Sequence, residues 1–194
     1  QRLFPDKYAV LVDTEFVFQS ADDIAWLTLH GVDISENRLI LIQENTAEDT
    51  FNAIMEIATD PNCSVIGLDS LGNMEVSNNM EGTRFERDKG KIKADVPGAF
   101  ARVTQSTFKR LTNLIAKNDI LLVTINQVRD NLSLYGGGAF NSPGGNAYKH
   151  SRSVVIELYN VEAITQGDEP VGQIVKAKVS RSKISTAGVT ENGK

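Results

Sequence analysis

The sequence predicts an α/β fold, a three-layer sandwich in which helices cover both faces of a mostly parallel central sheet with antiparallel strands at one edge. Apolar runs of strand length alternate with amphipathic helical segments over the first 150 residues. Most of these runs are apolar on both faces, as in buried parallel strands. The last two runs are joined through Gly167–Pro170 with no room for a crossover helix, so they are predicted to pair antiparallel.

The first half of the chain alternates three strands with two helices. The strands are predicted at Tyr8–Asp13, Arg38–Gln43 and Ser64–Asp69. Ser20 with an acid three residues later begins the first helix, and Gly31 ends it. Thr46 caps the second helix, which ends before Asp60-Pro61. One face of that second helix carries its apolar residues, Phe51, Ile54, Met55 and Ala58.

The second half begins with a polar segment, 71–96, that shows no sustained period. The longest helix is predicted at about 98–117, with Phe100, Val103, Thr107, Leu111 and Leu114 inward and Arg102, Gln105 and Lys109 outward. A strand follows at 120–125 and is predicted to be buried on both faces. A loop rich in Gly, Ser and Asn comes next, and then strands at Ser153–Ile164 and Gln173–Ser182.

Composition restricts the class of protein. A chain of 194 residues with 41% hydrophobic content forms a single domain or a fragment of a larger one. A net charge of -5 means that any nucleic-acid binding must come from local clusters of cations. Cys63, His30 and His150 lie too far apart for a zinc site. With no signal peptide and no apolar run of membrane length, we expect a soluble intracellular protein.

Polar residues end three of the predicted parallel strands, and parallel strands align their carboxyl ends. The expected meeting point contains Asp13 with Glu15, Asp69 with Ser70, and Asn126 with Gln127. Asp69 suits a magnesium-nucleotide site, where it holds a water of the hydrated cation. Glu15 is placed to accept a proton from an attacking water. Gln127 can detect a terminal phosphate. Alternatively, Asp69 simply caps the next turn.

The glycine-rich loop that usually cradles phosphates is missing. No GxxxxGK[ST] pattern occurs in the 194 residues. Either the chain does not hydrolyse nucleotides, or the cradle lies upstream of Gln1.

Four ordered motifs resemble the RecA family of recombinases: DTE at 13–15, VIGLDSLGNM at 65–74, INQVRD at 125–130 and GGNAYKH at 144–150. The resemblance covers nearly the whole chain and implies a RecA-like P-loop ATPase core. It implies that residues 1–194 are one core domain without its phosphate loop, its N-terminal polymerisation segment and its C-terminal region. The fragment alone is then expected to hydrolyse ATP poorly.

The resemblance also implies residue roles. Glu15 would be the catalytic carboxylate, Asp69 the acid of the Mg²⁺ site and Gln127 the sensor between nucleotide and DNA. ATP would also contact Asp13, Ser70 and Trp26, although Trp26 is almost as well explained as a half-buried helix residue. Arg181 and Lys183 would reach a neighbouring subunit's nucleotide, or simply be solvated on an edge strand. The implied DNA-binding residues are Arg102, Arg129, Gly144, Gly145, Asn146 and Lys149, with DNA loops at 76–96 and 128–149.

The function implied by the resemblance is ATP-dependent strand exchange in homologous recombination, DNA repair and the SOS response. The protein would form filaments on single-stranded DNA and take up double-stranded DNA, in the cytoplasm of a bacterium or of a phage-infected host. Two alternatives remain open: a hexameric helicase or clock-type ATPase on the same core, and a non-catalytic paralogue that binds DNA or a recombinase.

Overall fold

The computed structural model describes residues 1–77, 98–127 and 144–184, and only the backbone of residues 146 and 147. The chain divides into two compact units, Gln1–His150 and Ser151–Lys194. Up to the start of the second unit, the elements in chain order are β1 (Tyr8–Asp13), α1 (Ala21–Leu29), β2 (Leu39–Ile42), α2 (Ala47–Ile57), β3 (Cys63–Asp69), a 3-10 turn (Leu71–Asn73), α3 (Ala99–Lys117), β4 (Leu121–Thr124) and α4 (Gly145–Ser151). The second unit contains β5 (Val154–Gln166) and β6 (Glu169–Ser182).

The first unit is built on a four-stranded sheet with the strand order β2-β1-β3-β4, and each neighbouring pair is parallel. The register places Asp13 beside Asp69 and Leu68 beside Thr124. The carboxyl ends of three strands are therefore aligned, which confirms the predicted parallel α/β architecture.

Local capping explains where the first two helices begin. Ser20 forms a capping box with Asp23, and Thr46 accepts a hydrogen bond from the Asp49 amide. The first helix ends at Gly31, whose φ of 80° and amide bond to the Thr28 carbonyl complete a left-handed cap. These predicted boundaries are confirmed to within a residue or two.

The core lies between the sheet, α2 and α3. Phe51 and Phe108 meet edge to face with ring centroids 5.9 Å apart, and Phe108 meets Tyr148 of α4 in the same way at 5.1 Å. The predicted inward face of α3 was wrong in its centre: Thr104 and Phe108 are buried, whereas Thr107 is only half-buried. The Thr104 hydroxyl is accommodated because it donates to the Phe100 carbonyl at 2.8 Å.

The prediction that the fourth strand is buried on both faces is also wrong for the part of the chain that the structure describes. β4 is the last strand in its sheet, and Leu121, Val123 and Ile125 are 61%, 48% and 52% exposed. Only the face that carries Leu122 packs against the core. An apolar sequence indicates which residues prefer burial, but not whether an element covers both faces.

The second unit is an antiparallel pair, as predicted, and its strands are longer than the sequence suggested. The turn is short because Gly167, with φ of 65°, is followed by Asp168 and then directly by β6. Most side chains of the pair are exposed. Among the described residues, no helix combines the length and apolarity required to cross a membrane.

Candidate active site

The ends of β1 and β3 are joined by backbone and hydroxyl hydrogen bonds around Thr14. The Thr14 amide donates to the Asp69 carbonyl at 2.7 Å, and its hydroxyl donates to the Ser70 carbonyl at 2.8 Å. The Ser70 amide returns a bond to the Thr14 hydroxyl oxygen at 2.9 Å. The Asp69–Ser70 peptide bond is cis. The residues that follow the two strands are therefore held in a fixed relation.

Glu15 is the residue at which the strand ends meet. Its Oε1 accepts hydrogen bonds from Ser70 Oγ at 2.9 Å, from Asn73 Nδ2 at 2.7 Å and from Gln127 Nε2 at 3.4 Å. The structure thus confirms that Glu15, Ser70 and Gln127 gather at one edge of the sheet. Asn73 was not predicted. In the sequence it is visible as an amide residue four positions after Asp69, the residue that ends β3.

Asp13 lies beneath this cluster and is 1% exposed. Its Oδ1 accepts from the Glu15 amide at 3.1 Å, and its Oδ2 accepts from the Phe18 amide at 3.0 Å and from Gln43 Nε2 at 2.8 Å. These donors satisfy the buried carboxylate. In the structure Asp13 therefore holds the loop that carries Glu15.

Asp69 has a different electrostatic environment. Burial, followed by the negative charges of Glu15 and Asp13, raises the pKa of its carboxyl group above the usual value. A cation near these three acids would relieve their repulsion. The described residues contain no group of three or more His, Cys, Asp or Glu side chains placed to hold a metal ion. Water or phosphate oxygens could complete the coordination of a cation held near Asp69.

Trp26 lies on α1 and is 55% exposed. Its ring contacts the ring of His30, with centroids 3.9 Å apart, and His30 Nδ1 lies 2.8 Å from the Trp26 carbonyl oxygen. The indole has the accessibility that base stacking requires, and an exposure of 55% also fits the alternative of a half-buried helix residue.

Three of the predicted DNA-binding residues lie near one another in the first unit. Arg102 is exposed on α3. Gly144 and Gly145 begin α4, and a side chain at Gly145 would come within 3.2 Å of Ala101, the neighbour of Arg102. Lys149 is half-buried on the same helix. Arg129, the side chain of Asn146 and most of the two predicted DNA loops lie outside the described residues.

Arg181 and Lys183 belong to the second unit. Arg181 is half-buried on β6 opposite Val155, and Lys183 is exposed just beyond the end of β6. The Lys183 amide donates to the Ser153 carbonyl at 2.8 Å. Backbone hydrogen bonds thus fix the segment that carries both cations, at the end of the strand pair opposite the turn.

Comparison with known proteins adds a family match. Residues 5–190 match the family model described as the RecA N-terminal domain. Protein RecA of Rhodopirellula baltica is 28% identical over 177 residues, which cover 91% of this chain and 44% of that protein. Protein RecA of Chlorobium limicola is 27% identical over the same share of this chain and 47% of its own length. The chain spans about half the length of these curated relatives.

Proposed function

Since this chain belongs to the RecA family, we propose that its strand-end site hydrolyses ATP in a recombinase that polymerises on single-stranded DNA and exchanges strands with a homologous duplex. The observation that carries the proposal is the contact of one exposed carboxylate, Glu15, with Ser70 after β3 and Gln127 after β4. ATP hydrolysis that responds to DNA requires three groups in one place: a general base, an acid near the metal ion, and an amide side chain that can move. We also propose a cytoplasmic location.

Glu15 is the general base in this proposal. Its Oε1 is held by three donors, whereas no hydrogen bond from a described residue reaches Oε2. A water bonded to Oε2 would give its proton to the carboxylate while its oxygen attacks the terminal phosphorus. The bond from that phosphorus to the leaving diphosphate oxygen then breaks, and ADP and phosphate are the products.

Asp69 fits the metal side of the site. The raised pKa of its carboxyl group comes from burial and from two neighbouring acids, so a divalent cation would favour the charged form. Mg²⁺, when bound, would neutralise charge on the phosphate oxygens. Asp69 would hold a water of its hydration shell, with Ser70 alongside.

Gln127 is the proposed sensor because its bond to Glu15 is the longest of the three and its side chain is exposed. A terminal phosphate oxygen can replace Glu15 as the acceptor for its amide. Such a movement would be transmitted to the chain that follows β4, where the second DNA loop is proposed.

The site needs phosphate-binding groups that it does not itself contain. We propose that a phosphate loop elsewhere in the complete protein cradles the nucleotide, and that Trp26 packs on its base. Arg181 and Lys183 would reach the terminal phosphate from an adjacent subunit. The 194 residues alone are then expected to hydrolyse ATP poorly or not at all.

DNA binding is supported by the charge of α3. Its 19 residues include no acid, although the chain as a whole carries a net charge of -5. Its four cations are exposed: Arg102, Lys109, Arg110 and Lys117. Arg102 follows Ala101, which lies next to Gly145 at the start of α4, where a backbone can approach closely. Contacts of this kind hold the DNA backbone regardless of sequence, and base pairing would test homology.

The test compares the complete protein with its Glu15→Gln variant in an ATPase assay with single-stranded DNA. We expect the variant to lose about 100-fold or more of the wild-type rate, since proton transfer contributes a factor of this size. It should still bind single-stranded DNA when ATP is present. Glu56→Gln, at an exposed position on α2, is the matched control and should keep the wild-type rate.

Two results would overturn the proposal. Full activity in Glu15→Gln would remove Glu15 from the chemistry. A wild-type protein without ATP-dependent, salt-sensitive binding to single-stranded DNA would not be a recombinase. Electron microscopy of the same samples should show filaments, and closed rings would indicate a helicase-type assembly instead.

A further inference from the structure

Asn73 makes the shortest hydrogen bond to the proposed catalytic carboxylate. Its Nδ2 lies 2.7 Å from Glu15 Oε1, compared with 2.9 Å for Ser70 Oγ and 3.4 Å for Gln127 Nε2. A carboxylate oxygen has two lone pairs, so it cannot accept three bonds at full strength. The bond from Gln127 is therefore the weakest, and Ser70 and Asn73 occupy the oxygen.

The position of Asn73 is fixed by its neighbours in the chain. It ends the 3-10 turn whose first residue, Leu71, is fully buried and donates its amide to the Ile125 carbonyl at 2.9 Å. Beyond it, Met74 is 9% exposed and the Glu75 carbonyl accepts from the Ala47 amide at 2.7 Å. Although its side chain is exposed, the backbone that carries it is anchored on both sides.

From this geometry we propose that Asn73 is a positioning residue, which with Ser70 holds Oε1 of Glu15 in place and leaves Oε2 for the attacking water. The inference rests on the proposed function. It separates two tasks at one carboxylate: Asn73 and Ser70 maintain the orientation of the base, and Gln127 is released to follow the phosphate. Without Asn73, movement of Gln127 would leave Glu15 with a single donor and more rotational freedom.

The experiment measures steady-state ATP hydrolysis by the complete protein with single-stranded DNA as a function of ATP concentration. For Asn73→Ala we expect kcat to fall about 10-fold with KM for ATP nearly unchanged, as for an interaction used in the transition state. Asn52→Ala, at an exposed position on α2, is the matched control and should match the wild type.

Asn73→Asp distinguishes positioning from simple packing, because it keeps the shape of the side chain and replaces the donor with a like charge. We expect its kcat to be lower than that of Asn73→Ala, with KM for ATP again nearly unchanged. Thermal unfolding of each variant within a few degrees of the wild type shows that the fold is retained.

The outcomes separate the two proposals. If the wild type is inactive, or Glu15→Gln is fully active, the proposed function fails. If those results are as expected but Asn73→Ala and Asn73→Asp keep the wild-type kcat, the function stands and the role of Asn73 is wrong.

Discussion

At the scale of single residues, three carboxylates within a few positions of two strand ends have different tasks because they have different donors. Asp13 is buried and accepts from three donors, so it holds the backbone. Glu15 is exposed and held through one oxygen. No hydrogen bond from a described residue is found at the Asp69 carboxylate, and the neighbouring acids repel it. Only the last two have an oxygen available for a ligand.

The environment of Asp69 predicts that this side chain reduces the stability of the fold. Its pKa is raised in the folded chain, so its charged form is penalised at neutral pH, and the penalty disappears as the pH falls through that raised pKa. In magnesium-free buffer at neutral pH, Asp69→Asn should therefore increase the free energy of unfolding. The gain should be below about 1 kcal/mol, since the carboxylate is partly screened by water. Thermal unfolding of the complete protein measures it, and the gain should shrink in acid.

Asp60 is the control, because the pKa of its carboxyl group is shifted in the opposite direction to that of Asp69. Its pKa is lowered, mainly by the Asn62 amide and then by the Tyr8 hydroxyl, which lies 2.8 Å from Asp60 Oδ2. The charged form thus stabilises the fold above the unfolded pKa and loses this effect as the pH falls. Asp60→Asn should lower the unfolding temperature at neutral pH. A drop for Asp69→Asn as large as the one for Asp60→Asn would contradict this account.

The gathering of Glu15, Ser70 and Gln127 could be predicted because each follows a parallel strand, and the pleated sheet fixes where such ends lie. Two features of the site could not be predicted. The contact of Asn73 with Glu15 depends on the direction of a 3-10 turn, which hydrophobic periodicity does not indicate. The inward position of Asp13 depends on a hydrogen bond from Gln43, which follows β2.

At the scale of elements, the docking of α4 determines where the glycine pair lies. Tyr148 is 3% exposed, its hydroxyl lies 2.7 Å from Thr124 Oγ1, and its ring packs on Phe108. This contact links α4 to both β4 and α3. Gly145 is then brought beside Ala101 in the first turn of α3, the turn that also contains Arg102.

The close packing around Gly144 predicts how a substitution there would affect the docking of α4. Its φ is 103°, and an added Cβ would lie 3.1 Å from Tyr148 and 3.2 Å from Leu71. Gly144→Ala should therefore lower the free energy of unfolding by about 2–4 kcal/mol, the sum of backbone strain and overpacking. Gly98 also has a positive φ of 76° but has nothing within 4 Å, so Gly98→Ala should lose only about 1 kcal/mol. Chemical unfolding of both variants checks this, and equal losses would show that packing at α4 is unimportant.

The bounds of α3 could be predicted from its sequence, but the centre of its buried face could not. The amphipathic pattern of α3 is compatible with a small rotation of the helix about its axis. The aromatic contacts of Phe108 with Phe51 and Tyr148 select the rotation, and both partners come from distant parts of the sequence.

At the scale of the whole molecule, both units carry apolar side chains that are exposed. In the first unit they include Leu121 and Val123 on the outer face of β4 and Ile125 just after it. In the second unit they include Ile156, Leu158 and Val161 on β5, and a two-stranded pair has little core of its own. The apolar run of β4 predicted burial on both faces, and that prediction is wrong for the described residues. Whether a preference is satisfied depends on partners that a single run of residues does not encode.

Exposure of this kind predicts that the 194-residue chain, studied by itself, associates through apolar surface. We expect it to increase the fluorescence of the dye ANS and to elute above its monomer size of 21.2 kDa in gel filtration at micromolar concentration. Val123→Lys should weaken both signals and change stability by about 0.5 kcal/mol or less, since this side chain is about half exposed.

The neighbouring position on β4 makes the control for this prediction. Leu122 points to the opposite face and packs against the core, so Leu122→Lys should bury an unpaired ammonium group and unfold the chain. Circular dichroism separates this loss of structure from the reduced association expected for Val123→Lys. If the unmodified chain is monomeric and leaves ANS fluorescence unchanged, the prediction that this chain associates through its exposed apolar surface is wrong.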